Sequence, residues 1–150
     1  MILKNIKIRQ AKRNDIKSIE SLTKYLMAIE EVDDVNKETQ LILHHRILPT
    51  FNKKTDNKVV VAEIDKKIAG YVLVERLNKL AASMVYIVVG PEFQKIGVGK
   101  NLVKGAEDYL KKKKFKVLQA TIHKDNKKSK KFHEKIGFEF FGFVMRHKIK

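Results

Sequence analysis

The stretch MVYIVVGPEFQKIGVGKNLVKGAEDYL, residues 84 to 110, decides how the chain is read. Its β-branched run, Val85 to Val89, has the composition of a buried strand. Gly90 and Pro91 stop that strand. From about Gly97 the period changes. Val98, Leu102, Ala106 and Leu110 now share one face of an amphipathic helix. Gln94-Lys95-Ile96-Gly97-Val98-Gly99 joins the two elements. Glycines at a helix start let a ligand approach the backbone, because no Cβ intervenes. The first helical amides lack an intrahelical partner and carry the positive end of the dipole. Strand, Gly-x-Gly turn and helix together predict a site for phosphate or pyrophosphate, with Lys95 and Lys100 adding charge beside it. Taken alone, Gly-x-Gly serves equally as a plain tight turn.

Outward from this stretch the pattern alternates between strand and helix periods. Ile2 to Gln10 sets Ile6 and Ile8 against Lys7 and Arg9, as in a half-buried strand. Arg13-Asn14-Asp15 supplies a cap for a helix to about Ile29, with Ile16, Ile19, Leu22 or Thr23, and Leu26 as its apolar stripe. An acidic interruption follows at Glu30, Glu31, Asp33 and Asp34. Asn36 is placed to cap a second helix through Leu48, stopped by Pro49, with Leu41, Ile42, Leu43 and Leu48 buried. Val59 to Ile64 and Ile68 to Leu77 read as a hairpin about the turn Asp65-Lys66-Lys67. Beyond the central helix, Phe115 to His123 is a strand, Asp125-Asn126 caps a helix to Ile136, and Gly137 ends it. Phe138 to Phe141 and Phe143 to Ile149 read as a closing pair of strands.

The 150 residues suit a single domain spanning 1–150, and 43% apolar composition suffices for a core. With no cysteine, disulfides, zinc-thiolate sites and cysteine nucleophiles are excluded. His44 and His45 have no metal-ligand partner at matching spacing, so no metal site is expected. The first ten residues alternate too strongly with charge for a signal peptide, and no apolar run reaches membrane-span length. A cytoplasmic location follows. The net charge is +16, yet arginine occurs only at 9, 13, 46, 76 and 146. Arginine is the better reader of phosphate and bases, so the lysine excess favours a solvated surface over specific nucleic-acid recognition.

Gln94-x-x-Gly97-x-Gly99 after a strand, with Pro91-Glu92-Phe93 before it, resembles the coenzyme A loop of the GNAT superfamily of N-acetyltransferases. Ile68-Ala69-Gly70-Tyr71 is similar to that family's entry into the preceding hairpin, and the predicted element order is the family's order. The resemblance implies an α+β fold: a mixed, mostly antiparallel sheet of about seven strands with helices on both faces. It implies acetyl-CoA as donor and CoA as product. Acetyl would pass to a primary amine, of a small molecule such as a polyamine or of a protein, by direct attack through a tetrahedral intermediate. Acetyl-CoA would lie along Ile87, Val88 and Val89 and on the loop from Gln94 to Lys100.

Asn126-x-x-Ser129-x-x-Phe132-His133, followed by Gly137-Phe138, resembles the family's second coenzyme motif. Asn126, Ser129 and Phe132 would then border the coenzyme. His133 stands where the family has a tyrosine that serves as general acid; a histidine can donate a proton there. A lysine-type amine is almost wholly protonated at neutrality, so a group or water must take its proton. Tyr86, His123, Glu92 and Glu75 are the candidates. In the family the link between the first two helices borders the acceptor site, so Glu30, Glu31, Asp33 and Asp34 would attract a cationic amine. Two other readings stand beside this one. The first is a basic nucleic-acid module using Lys111 to Lys114 and Lys127 to Lys131. The second is a CoA-binding domain of this type without catalysis. The sequence leaves a homodimer open.

Overall fold

The computed structural model describes residues 5–149. Part of the strand expected from Ile2 therefore lies outside the described residues, and β1 runs Lys7–Gln10. A 3-10 turn, Arg13–Asp15, leads into α1 (Ile16–Ile29). The Asp15 carboxylate does not cap α1; it accepts from the Lys12 amide behind it, 2.7 Å away. α2 (Val35–Ile42) starts two residues earlier than the sequence suggested. Asp34, not Asn36, is its cap, accepting from Lys37 N at 3.0 Å. The helical path continues through a π turn (Leu43–Ile47) and a 3-10 turn containing Pro49. Ile42, Leu43 and Ile47 are buried, while Leu41 is exposed.

β2 (Lys58–Ile64) and β3 (Lys67–Arg76) form the expected hairpin. Asp65 and Lys66 take left-handed φ of 49° and 65° in its turn. That two-residue geometry matches the right-handed twist of the strands. β4 (Ala81–Val89), α3 (Val98–Lys112), β5 (Val117–Gln119) and α4 (Lys127–Lys135) follow. Among the described residues the sheet has five strands in the order β1-β2-β3-β4-β5. All pairs are antiparallel except β4 with β5. The mixed α+β class is as expected, but the strand count is smaller. Residues 138–149 form no strand, and β5 is much shorter than Phe115–His123. Glu139 to Ile149 make no hydrogen bond to the described chain, because no sheet edge lies against them.

Both faces of the sheet are covered. Val60, Ala62, Val72, Val74 and Met84 pack under Leu102, Val103, Ala106 and Leu110 of α3. Val59, Val61, Tyr71, Leu73 and Val88 pack under Ile19, Leu22, Met27, Ile42 and Ile47. Two-sided burial is why β2 and β3 read as nearly unbroken apolar runs. A glycine sets how close α3 comes: a Cβ on Gly105 would collide with Ile8 of β1.

Two irregularities of β4 shape everything beside it. Leu73 pairs with Tyr86 but Val74 with Met84, so Val85 is an extra residue in β4. Such a bulge re-aims neighbouring side chains. Val85 and Tyr86 both face the α1/α2 side, whereas Ile87 and Val89 face α3. Secondly, β5 pairs only with Ala81–Ser83. Among the described residues, the second edge of β4 has no strand beside it from Met84 to Val89.

Candidate functional site

The loop after β4 is folded back on the strand it leaves. Gln94 Nε2 donates to Val89 O at 3.3 Å and to the Tyr25 hydroxyl at 3.2 Å, tethering the loop to α1. Lys95 (φ 65°) and Gly97 (φ 92°) are both left-handed, which turns the chain sharply into α3. Gly97 O accepts from Asn101 N at 3.1 Å and from the Asn101 side chain at 2.8 Å. No side chain caps α3, in contrast to α2 and to α4, where Asn126 Oδ1 accepts from Ser129 N at 3.0 Å. The amides of Val98, Gly99 and Lys100 thus point out of the helix end unclaimed. A Cβ on Gly97 would meet only Asn101 Nδ2, at 3.7 Å, so the ground in front of them is open. This is a cradle of suitable charge and shape for a pyrophosphate. Lys95, Ile96 and Lys100 are exposed around it.

α4 forms the neighbouring wall. A Cβ on Gly99 would stand 3.1 Å from Phe132 Cε1 and 3.8 Å from Val89 Cγ2, so β4, α3 and α4 converge at this glycine. His133, one residue on, is 4% exposed. Its ring sits edge-to-face against Phe132 (5.3 Å) and Phe138 (5.1 Å). His133 Nδ1 lies 2.7 Å from Ser129 O. A carbonyl oxygen only accepts, so Nδ1 carries a proton and Nε2 is bare in the neutral ring. No fully buried side-chain nitrogen or oxygen among the described residues lacks a partner. Nε2 has none there, so it keeps a trace of solvent contact within a buried ring.

On the other face of β4, Tyr86 is half-buried, and burial raises its phenol above the ordinary range. Arg46 lies over its ring at 5.9 Å and pairs with Glu75 at 3.2 Å. The charges of Glu30, Glu75 and Glu38 also act on the phenol, against the one cation Arg46. Glu30 is exposed as a residue, but partial desolvation raises its carboxyl. Behind Tyr86, the Tyr71 hydroxyl lies 2.8 Å from Thr23 Oγ1, and burial pushes that phenol up to about 12.

The remaining residues singled out by sequence fall elsewhere. Asp34 is occupied as the α2 cap, while Glu31 and Asp33 are exposed in the α1–α2 link. Glu92 lines a surface hollow of about 530 Å³ with Arg9, Asp15, Ser18, Glu63 and Lys67. His123 is solvent-exposed, and its Nδ1 accepts from Asp125 N at 3.2 Å. Lys111 to Lys114 and Lys127, Lys128, Lys130 and Lys131 are exposed. Sequence reading missed Tyr25, Glu38, Arg46 and Asn101. Only Asn101 carried a local signal, four residues after Gly97. The others reach the site through tertiary packing alone.

A helix start open to an anion thus lies beside a strand whose outer edge is unpaired among the described residues, with α4 packed against it at Gly99. Residues 19–138 match the acetyltransferase (GNAT) family, and the chain belongs to that family. An uncharacterised N-acetyltransferase of Methanocaldococcus jannaschii is 26% identical over 93 residues, which is 58% of this chain and 41% of that relative. The aligned stretch thus spans under half of that protein's length. The fold is similar to that of the aminoglycoside N-acetyltransferase AAC(6')-Iy solved with CoA (TM-score 0.76, 18% identity, 98% of this chain and 96% of that one). It is equally similar to PaiA N-acetyltransferase from Thermoplasma acidophilum in complex with coenzyme A (TM-score 0.77, 19% identity, 90% of each chain). No helix among the described residues is long and apolar enough to cross a membrane.

Proposed function

We propose that this chain transfers acetyl from acetyl-CoA to a primary amine in the cytoplasm. The observation that carries the reading is the open edge of β4 from Met84 to Val89, ending at the unclaimed amides of Val98, Gly99 and Lys100. Free strand backbone suits the two amides of a pantetheine arm, and the helix start suits its pyrophosphate. Ile87, Val88, Val89 and the loop from Gln94 to Lys100 would hold the donor, with Phe132 and Ser129 behind it. Acetyl-CoA supplies the thioester: the amine nitrogen bonds to its carbonyl carbon, the carbon–sulfur bond breaks, and CoA leaves as a thiolate.

The chain's residues have three tasks in this scheme. Glu30, Glu75 and Glu38 gather a cationic amine on the α1/α2 side of β4, where Tyr86 stands. The surplus proton of the ammonium passes through this polar rim to water. His133 gives a proton to the thiolate from Nε2 when its ring is doubly protonated, since Nδ1–H is held by Ser129 O. The acceptor is a small amine or a protein amine, and the exposed lysine runs have no interleaved aromatics for stacking bases.

The test couples calorimetry of CoA with mass spectrometry of an amine panel. Gly97→Val forces a branched residue into φ of 92°, and Gly99→Val drives a side chain into Phe132 and the phosphate ground. Both variants are expected to lose CoA binding by at least about 100-fold, the size of two or three lost charge-assisted bonds. Wild type is expected to add one acetyl to some amines. Full CoA affinity in both folded variants would overturn the placement of the donor.

A further inference from the structure

We infer that Arg46 sets the charge class of the acceptor, a step that rests on acetyl transfer to an amine as proposed above. By filling the corner between Tyr86 and Glu75, it admits amines with one positive group and turns away those with a second.

The position of Arg46 follows from a break in helical period. Ile42 and Leu43 are buried, and position 46 lies four residues beyond the first and three beyond the second. In a straight α-helix that spacing would aim Arg46 between them, into the core. The π turn Leu43–Ile47 prevents this: Leu48 N–H donates to Leu43 O, five residues back. Ile47 returns to the core, fully buried, and Arg46 swings out to the surface. Single π turns are rare and concentrate at functional sites.

Swung out, Arg46 meets two groups. Its Cζ lies 5.9 Å from the centre of the Tyr86 ring, and Nη1 donates to Glu75 Oε1 at 3.2 Å. The bulge at Val85 turns Tyr86 to this side, and Glu75 shares one face of β3 with Tyr71 and Leu73. An aromatic ring beside a carboxylate is a place for a cation. Among the described residues Arg46 is the one cation acting on this phenol, and the guanidinium takes that place itself. The pair adds little to stability, because its side chains are 43% and 25% exposed. Its consequence falls on the acceptor. Glu30 and Glu38 are left for the reacting ammonium, while a second ammonium finds Glu75 occupied and a like charge beside it.

The probes are aminohexanol and diaminohexane, which share a reacting end and differ only in whether the far end is charged. CoA release gives kcat/KM for each, and calorimetry on the CoA-loaded protein gives each affinity without turnover. Wild type is compared with Arg46→Met, which keeps an apolar stem, with Arg46→Lys, which keeps the charge, and with Arg46→Met/Glu75→Gln. Wild type should take the alcohol at least as well as the diamine. Arg46→Met should shift the ratio toward the diamine by about 10-fold, the combined worth of a cation–π contact and an exposed ion pair. Arg46→Lys should stay near wild type, and Glu75→Gln should cancel the gain in the double variant. A wild type that already prefers the diamine would overturn the inference. So would an unchanged ratio in Arg46→Met, or a gain that survives Glu75→Gln. If none of the proteins acetylates either amine, acetyl transfer is refuted for these acceptors, and the affinity ratio alone still decides the role of Arg46.

Discussion

Replacing His133 separates packing from proton transfer. The ring is buried, holds Ser129 O through Nδ1–H, and meets Phe132 and Phe138 edge-on. His133→Ala removes all three. Each aromatic edge contact is worth about 0.5–1.5 kcal/mol and the hydrogen bond about 1 kcal/mol, so the variant is expected to lose about 2–4 kcal/mol of stability. His133→Asn places an amide N–H near the Nδ1 position and nothing at Nε2. It retains the bond to Ser129 O and should lose only about half as much. If Nε2 delivers a proton to the thiolate, Asn and Ala should lower kcat alike, by about 100-fold, the low end for general acid catalysis because a thiolate leaves readily. CoA affinity should barely move, since the interaction is made mainly in the transition state. Urea melts, CoA calorimetry and steady-state kinetics on the same three proteins read each quantity. If Asn keeps wild-type kcat, His133 is a packing residue and solvent protonates the thiolate.

What the sequence disclosed follows from how locally each feature is encoded. The turn from β4 into α3 is local, because Lys95 and Gly97 set the left-handed entry and Val98, Leu102, Ala106 and Leu110 repeat on one face. The left-handed turn and uncapped start of α3 were legible for that reason, as was the cap Asn126 on α4. The bulge at Val85 left no mark in an unbroken β-branched run; it appears only in the register against β3. It nevertheless decides that Tyr86 faces Glu30, Glu75 and Glu38. The acidic rim was read from a run of charge, and charge runs do not say which members are occupied. Asp34 went to a helix cap, while Glu38, outside the run, came to the site on the next turn of α2. The closing strands were overread for a related reason. Phe138 to Ile149 is rich in strand-forming residues, but a strand exists only where another backbone accepts its hydrogen bonds, and composition cannot supply the partner.

Two further expectations concern the buried polar pairs that hold the sheet to α1. Arg9 grips Asp15 through Nη1–Oδ2 (2.7 Å) and Nη2–Oδ1 (3.1 Å), and this pairing holds the Asp15 carboxyl below its ordinary range. A depressed carboxyl contributes stability above its unfolded pKa of about 3.9 and loses it as pH falls through the lower folded value. Asp15→Asn should therefore cost about 2–3 kcal/mol at pH 7, and the gap to wild type should close in urea melts below about pH 4; a gap constant to pH 2 would refute the pairing. The last expectation concerns Thr23 and Tyr71, whose hydroxyls lie 2.8 Å apart under the site. Thr23 Oγ1 donates its only proton to Ile19 O at 2.7 Å, so Tyr71 must be the donor between them. Tyr71→Phe then removes a donor and leaves Thr23 still bonded, at a cost of about 0.5–1.5 kcal/mol. Thr23→Val instead strands a buried phenol hydroxyl and should cost more, about 1–3 kcal/mol, although the residue removed is smaller. Equilibrium unfolding of the two variants decides it: a larger loss for Tyr71→Phe would mean that the proton runs the other way and that Ile19 O does not hold Thr23.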